Sequence, residues 1–283
     1  MPETVRFFAM QAGLLAIVLV LHTYIGLHII RRTLIFSDLV LDQAAALGAL
    51  IGIGLGAQYG TAQSYGASFT AVLIGAGLLA LFKPGNPLIP REAVIGILYA
   101  MALVASLLVG DKLVGGDAYI TKTLAGSMLW VSWPLIGVTA VVYAALLLVH
   151  FVFRHRFISL SDGPSGVAHE RVWDFLFFTT QGVITVLIVP VAGVLLAYAF
   201  LMLPAATAAL FRRDWLGATL LGWGLGLGAC LSGLGASYCF DWPYGPTLVL
   251  SLGAVFLIAI LLKILGAHAG PVEAKGIHYG EYD

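Results

Sequence analysis

Apolar stretches separated by short polar segments recur along the whole chain. A helix that crosses a membrane needs roughly 20 mostly apolar residues, because about 30 Å of hydrocarbon is covered at about 1.5 Å per residue. Nine stretches reach or approach that length, at 7–30, 39–57, 67–82, 93–109, 127–153, 172–187, 191–210, 216–238 and 247–265. The pattern predicts an all-α fold, a polytopic transmembrane helical bundle of eight to nine spans in which residues 1–283 form one domain.

The sixth and seventh stretches are short and adjoin each other. Val189, Pro190 and Val191 are therefore predicted to turn tightly near one membrane face. Glycines recur at every second position in the second and eighth stretches: Gly52, Gly54 and Gly56, and Gly222, Gly224, Gly226 and Gly228. Small residues let helix backbones approach closely, so both stretches are predicted to pack tightly against neighbouring helices.

Composition supports this fold and excludes two classes of protein. Of the 283 residues, 60% are hydrophobic and 10% are charged, whereas a soluble globular domain is about 25% charged. The formal net charge is zero, which offers no basic surface to nucleic acid. A cytosolic enzyme and a nucleic-acid-binding protein are therefore excluded. Cys230 and Cys239 lack the spacing of a zinc site and are too few for a disulfide framework.

The distribution of lysine and arginine predicts the orientation, because cytoplasmic loops keep the excess of basic residues. With the N-terminus outside, 11 of the 14 basic residues lie on the cytoplasmic side. Arg6, Lys112 and Lys122 then lie outside. We expect the N-terminus outside, the C-terminus in the cytoplasm, and the chain in the inner (plasma) membrane of a bacterial-type cell.

Ionisable side chains within the predicted spans are costly in a membrane and are usually functional. By helical rise, His22 lies roughly 14 Å from the Arg31 end of the first span, and Asp42 lies roughly 15 Å inside the second. Asp38 is one turn from Asp42 on the same helix face. A histidine with carboxylates suits Zn²⁺ or Mn²⁺. The alternative is structural, with His22 bonded to the backbone and the carboxylates paired with Arg31 or Arg32.

Five segments, in order from the first span to the ninth, carry a recognisable set of motifs. They read GLHIIRRTLIFSDLVLDQAAALG at 26–48, EAVIGILYAMALVASLL at 92–108, GSMLWVSW at 126–133, VAGVLLAYAFLMLPAATAAL at 191–210 and SYCFDWPYGPTL at 237–248. Together they resemble the zinc, manganese and iron-chelate (type 3) class of ATP-binding cassette importer permeases. Chance agreement of all five is improbable.

This resemblance implies a homodimeric or pseudo-dimeric permease with a translocation path at the subunit interface. It also implies two cytoplasmic ATP-binding subunits, an extracytoplasmic metal-binding receptor and transport by alternating access. The chain contains no Gly-x-x-x-x-Gly-Lys-Ser/Thr phosphate loop, so ATP hydrolysis is expected on the separate subunit and the permease itself is not an enzyme. The transported ion is zinc, manganese or iron, and the permease is expected to hold no cofactor of its own.

The resemblance also places metal contacts on the second span. Many members of the family carry an Asp there and a His four residues later. Asp38 matches the Asp, and Asp42 stands at the His position, whereas alignment on Gly48 puts Gln43 there instead. Asp38, Asp42, Gln43 and His22 are therefore the predicted metal contacts.

The segment 154–171 is the longest predicted cytoplasmic connection and the expected contact with the ATP-binding subunit. Its sequence SLSDGPSGVAHERV matches the family's acidic coupling segment only loosely. Within it, the contact is assigned to six consecutive residues: Gly166, Val167, Ala168, His169, Glu170 and Arg171.

Two alternatives from other classes stay open at the level of sequence. A secondary, ion-gradient-driven metal transporter is often built from internal repeats, and the two halves of this chain show no similarity. A haem-bearing membrane protein is the other, because His28 and His150 lie near the same membrane face on different spans and histidines from two helices are able to ligate a haem.

Overall fold

The computed structural model of the chain describes residues 3–83, 88–125, 131–162 and 168–268, and within them it contains helices and no strand. The helices are α1 (Glu3–Arg31), α2 (Ser37–Gly54), α3 (Ala62–Leu81), α4 (Arg91–Asp111), α5 (Gly116–Ala125), α6 (Trp133–Val152), α7 (Arg154–Ser161), α8 (Glu170–Ala209), α9 (Trp215–Phe240) and α10 (Tyr244–His268). All except α5 and α7 are long and apolar enough to cross a membrane. This confirms the predicted all-α polytopic bundle. The short helices α5 and α7 lie where the sequence predicted only connections, and 126–130 of the segment 126–133 lie outside the described residues.

The helix ends group at two faces of the bundle. At one, which we call the arginine face, Arg31 at the end of α1 pairs with Asp162 just after α7, at an N–O distance of 2.8 Å. Arg31 also donates to the carbonyl oxygen of Arg213. Near the end of α10, Lys263 donates to the Leu210 carbonyl oxygen at 2.7 Å. Helix α1 therefore begins at the face opposite the arginine face, and α10 ends at the arginine face. That the arginine face is cytoplasmic stays a prediction.

The 40-residue helix α8 doubles back on itself. Its φ and ψ angles leave the helical range at Gly193. Before that point Asp174 pairs with Arg32, and after it Leu201 packs against Gly26 of α1. Both ends of α8 therefore lie toward the arginine face, and its two arms measure about 34 Å and about 24 Å at 1.5 Å per residue. The two arms correspond to the sixth and seventh stretches of the sequence.

The reversal occurs at Gly193, slightly later than the predicted turn at Val189, Pro190 and Val191. Gly193 has a φ of +78°, a conformation that glycine adopts without a steric penalty. Pro190 lies within the helical range of the first arm. The sequence therefore predicted the existence of the turn, and the backbone freedom of glycine decided its position.

The central helices of the bundle are α1, α2 and α8, most of whose residues are buried. By contrast, only a minority of the residues of α4, α6 and α10 are buried. Many of their exposed side chains are apolar, for example Met101, Val141 and Leu257. Apolar surface of this kind suits contact with lipid, so the polar side chains of α1, α2 and α8 face the protein interior.

Alternate glycines of α9 determine how closely it approaches α8. A Cβ atom at Gly222 would lie 2.7 Å from the Pro204 carbonyl oxygen, and one at Gly226 would lie 2.8 Å from the Pro204 Cγ. A Cβ at Gly224 or Gly228 would meet open space. The predicted tight packing of this stretch is therefore correct for one face of the helix.

Candidate functional site

The candidate site is centred on two carboxyl groups of α2. Asp38 and Asp42 are one helical turn apart and are 3% and 1% exposed. The start of α2 is anchored by Glu92 of α4, whose Oε1 accepts a hydrogen bond from the backbone N–H of Phe36 at 2.8 Å. Helix α2 packs against α3, α4 and α8, and Gln181 and Thr185 of α8 lie beside the two aspartates. The expectation that they share a helix face and lie inside the bundle agrees with this geometry.

Asp38 has a partner that the sequence did not predict. Its Oδ1 accepts a hydrogen bond of 2.8 Å from Nε2 of Gln181 on the first arm of α8. Arg31 and Arg32, the expected partners, bind Asp162 and Asp174 instead. The structural alternative for Asp38, an interfacial ion pair, is therefore wrong.

Among the described residues, neither buried carboxyl oxygen of Asp42 completes a hydrogen bond of normal geometry. Thr185 lies beside Asp42 on α8, one turn beyond Gln181. The same residues provide no partner for the buried Oε1 atom of Gln181 or for the buried hydroxyl of Tyr143 on α6. We call Asp38, Asp42, Gln181, Thr185 and Tyr143 the carboxylate cluster. Its unpartnered oxygen atoms can accept a hydrogen bond or ligate a cation.

His22 packs next to the carboxylate cluster without completing a set of metal ligands. Its Nδ1 donates to the Val18 carbonyl oxygen at 3.0 Å, and its ring stacks on Tyr143 with a centroid distance of 5.9 Å. Within the described part of the chain, no three His, Cys, Asp or Glu side chains are grouped so as to hold a metal ion. The backbone hydrogen bond is the one expected under the structural alternative for His22.

Gln43 belongs to a different face of α2. It lines a cavity of about 10 Å³ together with Ser106 of α4 and Thr123 of α5, and its Nε2 is buried without a partner. Asp42 instead faces α8. Adjacent residues on a helix point about 100° apart, so Asp42 is the one that shares a face with Asp38.

The two histidines of the haem alternative are enclosed by other side chains. His28 is hydrogen bonded to the Ser161 hydroxyl at 2.7 Å, and His150 to the Thr180 hydroxyl at 2.9 Å. The ring of Tyr24 lies 4.6 Å from His28 and 5.5 Å from His150, measured between centroids. Aromatic side chains thus fill the region between the two imidazoles, which does not fit a haem.

A third buried aspartate, Asp174, is not among the site residues that the sequence predicted. Asp174, on the first arm of α8, is fully buried and pairs with Arg32. Its Oδ2 lies 2.5 Å from Nζ of Lys83 and 3.2 Å from a guanidinium nitrogen of Arg91. We call this set the Asp174 cluster. In the sequence, Asp174 is a charged residue at the third position of the predicted span 172–187, which also contains Gln181.

The first arm of α8 connects the two clusters. Asp174, Gln181 and Thr185 are separated by seven and then four residues, a spacing that places side chains on one helix face. Just before Asp174, Glu170 bonds Lys83 at 2.7 Å. One side of the first arm of α8 therefore extends from the arginine face of the bundle to the carboxylate cluster.

The predicted contact with the ATP-binding subunit lies at the start of the same arm. Gly166 and Val167 lie outside the described residues. Ala168, His169 and Arg171 are exposed at the arginine face, and α8 begins at Glu170 after His169 in a left-handed conformation. An exposed segment at this position is accessible to a partner.

These features together define a class of protein. Among the described residues, eight helices are long and apolar enough to span a membrane, and the central helices α2 and α8 carry the buried carboxyl groups of Asp38, Asp42 and Asp174. This is the architecture of a multi-pass membrane transport protein. The model of the ABC 3 transport family matches residues 7–263, so the chain belongs to the ABC 3 transport family. The suspected resemblance is confirmed, and the chain is a multi-pass permease of the bacterial inner membrane.

Individual relatives agree with this assignment. The chain is 26% identical to the manganese import system permease protein ScaB of Streptococcus gordonii over 83% of this chain and 91% of ScaB. It is 24% identical to the manganese transport system membrane protein MntC of Halalkalibacterium halodurans, over 92% of this chain and 89% of MntC. Its fold is similar to that of a chain in the solved structure of PsaBC from Streptococcus pneumoniae in complex with Fab. There the TM-score is 0.72 with 24% identity, over 89% of this chain and 91% of that one.

Proposed function

We propose that the chain is the permease of an ATP-driven importer of a transition-metal ion, and that manganese is the favoured cargo. The proposed cargo contacts are Asp38 and Asp42, with Gln181 as a neighbouring oxygen donor. Carboxylate and amide oxygens suit Mn²⁺, whereas imidazole and thiolate would shift the preference toward zinc. The names of two relatives support the same ion: ScaB is a manganese import system permease protein, and MntC is a manganese transport system membrane protein.

The observation that carries this proposal is the environment of Asp42. An ionised carboxyl that is buried without a partner costs several kcal/mol. Asp42 is 1% exposed, and within the described residues its carboxyl has no cation to pair with and the Thr185 hydroxyl as its polar neighbour on α8. A passing divalent cation would remove that cost by accepting lone pairs from Asp42 and Asp38. His22 and Gln43 are less favoured contacts, because one is bonded to the backbone and the other faces α4 and α5.

The proposed assembly contains two other kinds of subunit and a second copy of this chain. A separate ATP-binding subunit drives transport, an extracytoplasmic receptor delivers the metal ion, and a second copy of the permease completes the path as a homodimer. The missing phosphate loop supports a separate ATPase. The exposed residues Ala168, His169 and Arg171 and the adjoining Glu170 are the proposed contact with it. Alternating access requires that the cargo contacts differ between two states.

The test is Mn²⁺ uptake by cells or proteoliposomes that contain the full transporter with Asp42→Asn. We expect uptake to fall to background, because the neutral amide removes the negative charge that attracts the cation. Asp117→Asn is the matched control, since Asp117 is an exposed carboxylate on α5 and its variant should transport normally. Membrane level and co-purification of the ATP-binding subunit must equal those of the unmodified protein.

Two results would reject the assignment of Asp42. Normal uptake by Asp42→Asn means that the cation does not bind there. A variant that fails to accumulate in the membrane means that Asp42 is a structural group holding helices together.

A further inference from the structure

A cavity of about 450 Å³ opens at the arginine face, where the ends of α1, α7 and α8 meet. Three arginines, Arg31, Arg212 and Arg213, line it together with one acidic residue, Asp162. No member of the carboxylate cluster or of the Asp174 cluster lines this cavity. Its size is within the range of pockets that hold small molecules.

Arg31 is held in place at the edge of this cavity. It pairs with Asp162 at 2.8 Å, and its guanidinium lies 3.9 Å from the ring centroid of Trp215. A guanidinium carries five N–H donors, so these contacts leave donors for a further acceptor. Trp215 in turn donates from Nε1 to Asp162 at 3.3 Å, which fixes the acidic residue against the tryptophan.

The charges of the cavity do not balance. Arg212 pairs with Asp214 at 3.1 Å, with both side chains more than half exposed. Arg213 is exposed, and no ion pair of its side chain is found within the described residues. Even with Asp214 counted beside Asp162, three arginines face two carboxylates. An anion would therefore be attracted to this cavity.

Apart from Ser161, the rest of the cavity wall is apolar. Leu27 and Ile30 of α1 and Ala209 of α8 line the cavity beside the arginines. Apolar helix ends next to guanidinium groups are expected where the hydrocarbon of a bilayer gives way to its headgroups. A soluble anion would use the arginines alone, whereas a phospholipid would use both parts of the wall.

We propose that this cavity binds the phosphate group of an anionic phospholipid. Basic pockets between membrane-spanning helices bind anionic headgroups, and guanidinium groups match the geometry of phosphate with paired hydrogen bonds. In this arrangement the phosphate accepts from Arg212 and Arg213, and the glycerol and first methylenes lie against Ile30 and Ala209. The inference is independent of the identity of the transported ion.

The experiment is native mass spectrometry of the purified full-length permease titrated with phosphatidylglycerol or phosphatidylcholine. The test variant is R212Q/R213Q, whose positions lie in an exposed loop, so its thermal midpoint should equal that of the unmodified protein. The control is R154Q/R156Q, which removes two exposed arginines of α7 outside the cavity. We expect the test variant to bind phosphatidylglycerol about tenfold more weakly, with no change in the control or for phosphatidylcholine.

Three results would overturn the proposal. The first is equal phosphatidylglycerol binding by both double variants. The second is saturable binding of inorganic phosphate alone that R212Q/R213Q abolishes, which would assign the cavity to a soluble anion. The third is complete loss of the bound lipid when the ATP-binding subunit is added, which would assign the arginines to a protein contact.

Discussion

Asp174 and Asp42 are both buried aspartates, and their surroundings are opposite. Asp174 is enclosed by Arg32, Lys83 and Arg91. Asp42 has no cation and no completed hydrogen bond within the described residues. The same chemical group is thus surrounded by three cations at the arginine face and has none about three helical turns further inside.

The difference separates a stabilising carboxylate from a functional one. The Asp174 cluster ties α8 to the end of α1, the end of α3 and the start of α4, because each contributes to it or adjoins a residue that does. Removing one member of a buried ion cluster leaves the others without a counter-charge. Asp42 ties nothing together in this conformation, so its burial lowers the stability of the fold unless a proton or a cation is bound.

The largest effect is expected for Asp174→Asn. The substitution preserves shape but removes the negative charge from among three cations, which should cost about 3–5 kcal/mol of unfolding free energy. We expect a much lower thermal midpoint in detergent and reduced accumulation in the membrane. The control is Asp162→Asn, because Asp162 is 45% exposed in its pair with Arg31 and such pairs contribute at most about 1 kcal/mol. Equal midpoints for the two variants would contradict the structural role of Asp174.

In the same thermal measurement, Asp42→Asn is not expected to lower the midpoint, in contrast to Asp174→Asn. In metal-free buffer its midpoint is expected to equal or exceed that of the unmodified protein, since a neutral amide is cheaper to bury than a carboxylate without partners. Asp174→Asn, the identical chemical change, is the comparison. A midpoint that falls as far as that of Asp174→Asn would mean that Asp42 is compensated in the folded state, and the contrast between the two sites would be lost.

A smaller effect is expected at the two glutamines nearest the aspartates. Gln181→Ala removes the donor to Asp38 and an unpartnered oxygen, so we expect the apparent affinity for Mn²⁺ uptake to fall about tenfold. Gln43→Ala, on the face of α2 toward α4 and α5, is the matched amide and should change uptake less. If Gln43→Ala is the more severe variant, the path follows the small cavity beside α4 and not the face shared with α8.

Much of the fold could be predicted from the sequence, because the length of an apolar run is a local property of the chain. Each stretch that spans the membrane, and the paired stretches of α8, appeared as a run of apolar residues. The helices α5 and α7 were missed because ten and eight residues are too few to stand out from a polar connection. The turn of α8 lies at Gly193, later than predicted, because its position depends on the φ angle that Gly193 adopts.

The candidate site likewise has features that the sequence predicted and features that it did not. The spacing of Asp38 and Asp42 put both on one face of α2, and helical rise put Asp42 at depth. Proximity in sequence suggested Arg32 as a partner of Asp38, yet Arg32 binds Asp174, 142 residues away. Gln181 could not be selected because nothing local to α2 indicates which face of α8 packs against it.

The sequence by itself determined the class of the protein, its membrane-spanning helices and the family to which it belongs, because these depend on apolar length and on short motifs. The tertiary structure alone decided which charges neutralise one another, since an ion pair depends on distance between helices and not on distance along the chain. It placed Asp174 among three cations and Asp42 in the carboxylate cluster. That distribution distinguishes the carboxylate that holds the bundle together from the one that we propose contacts the cargo.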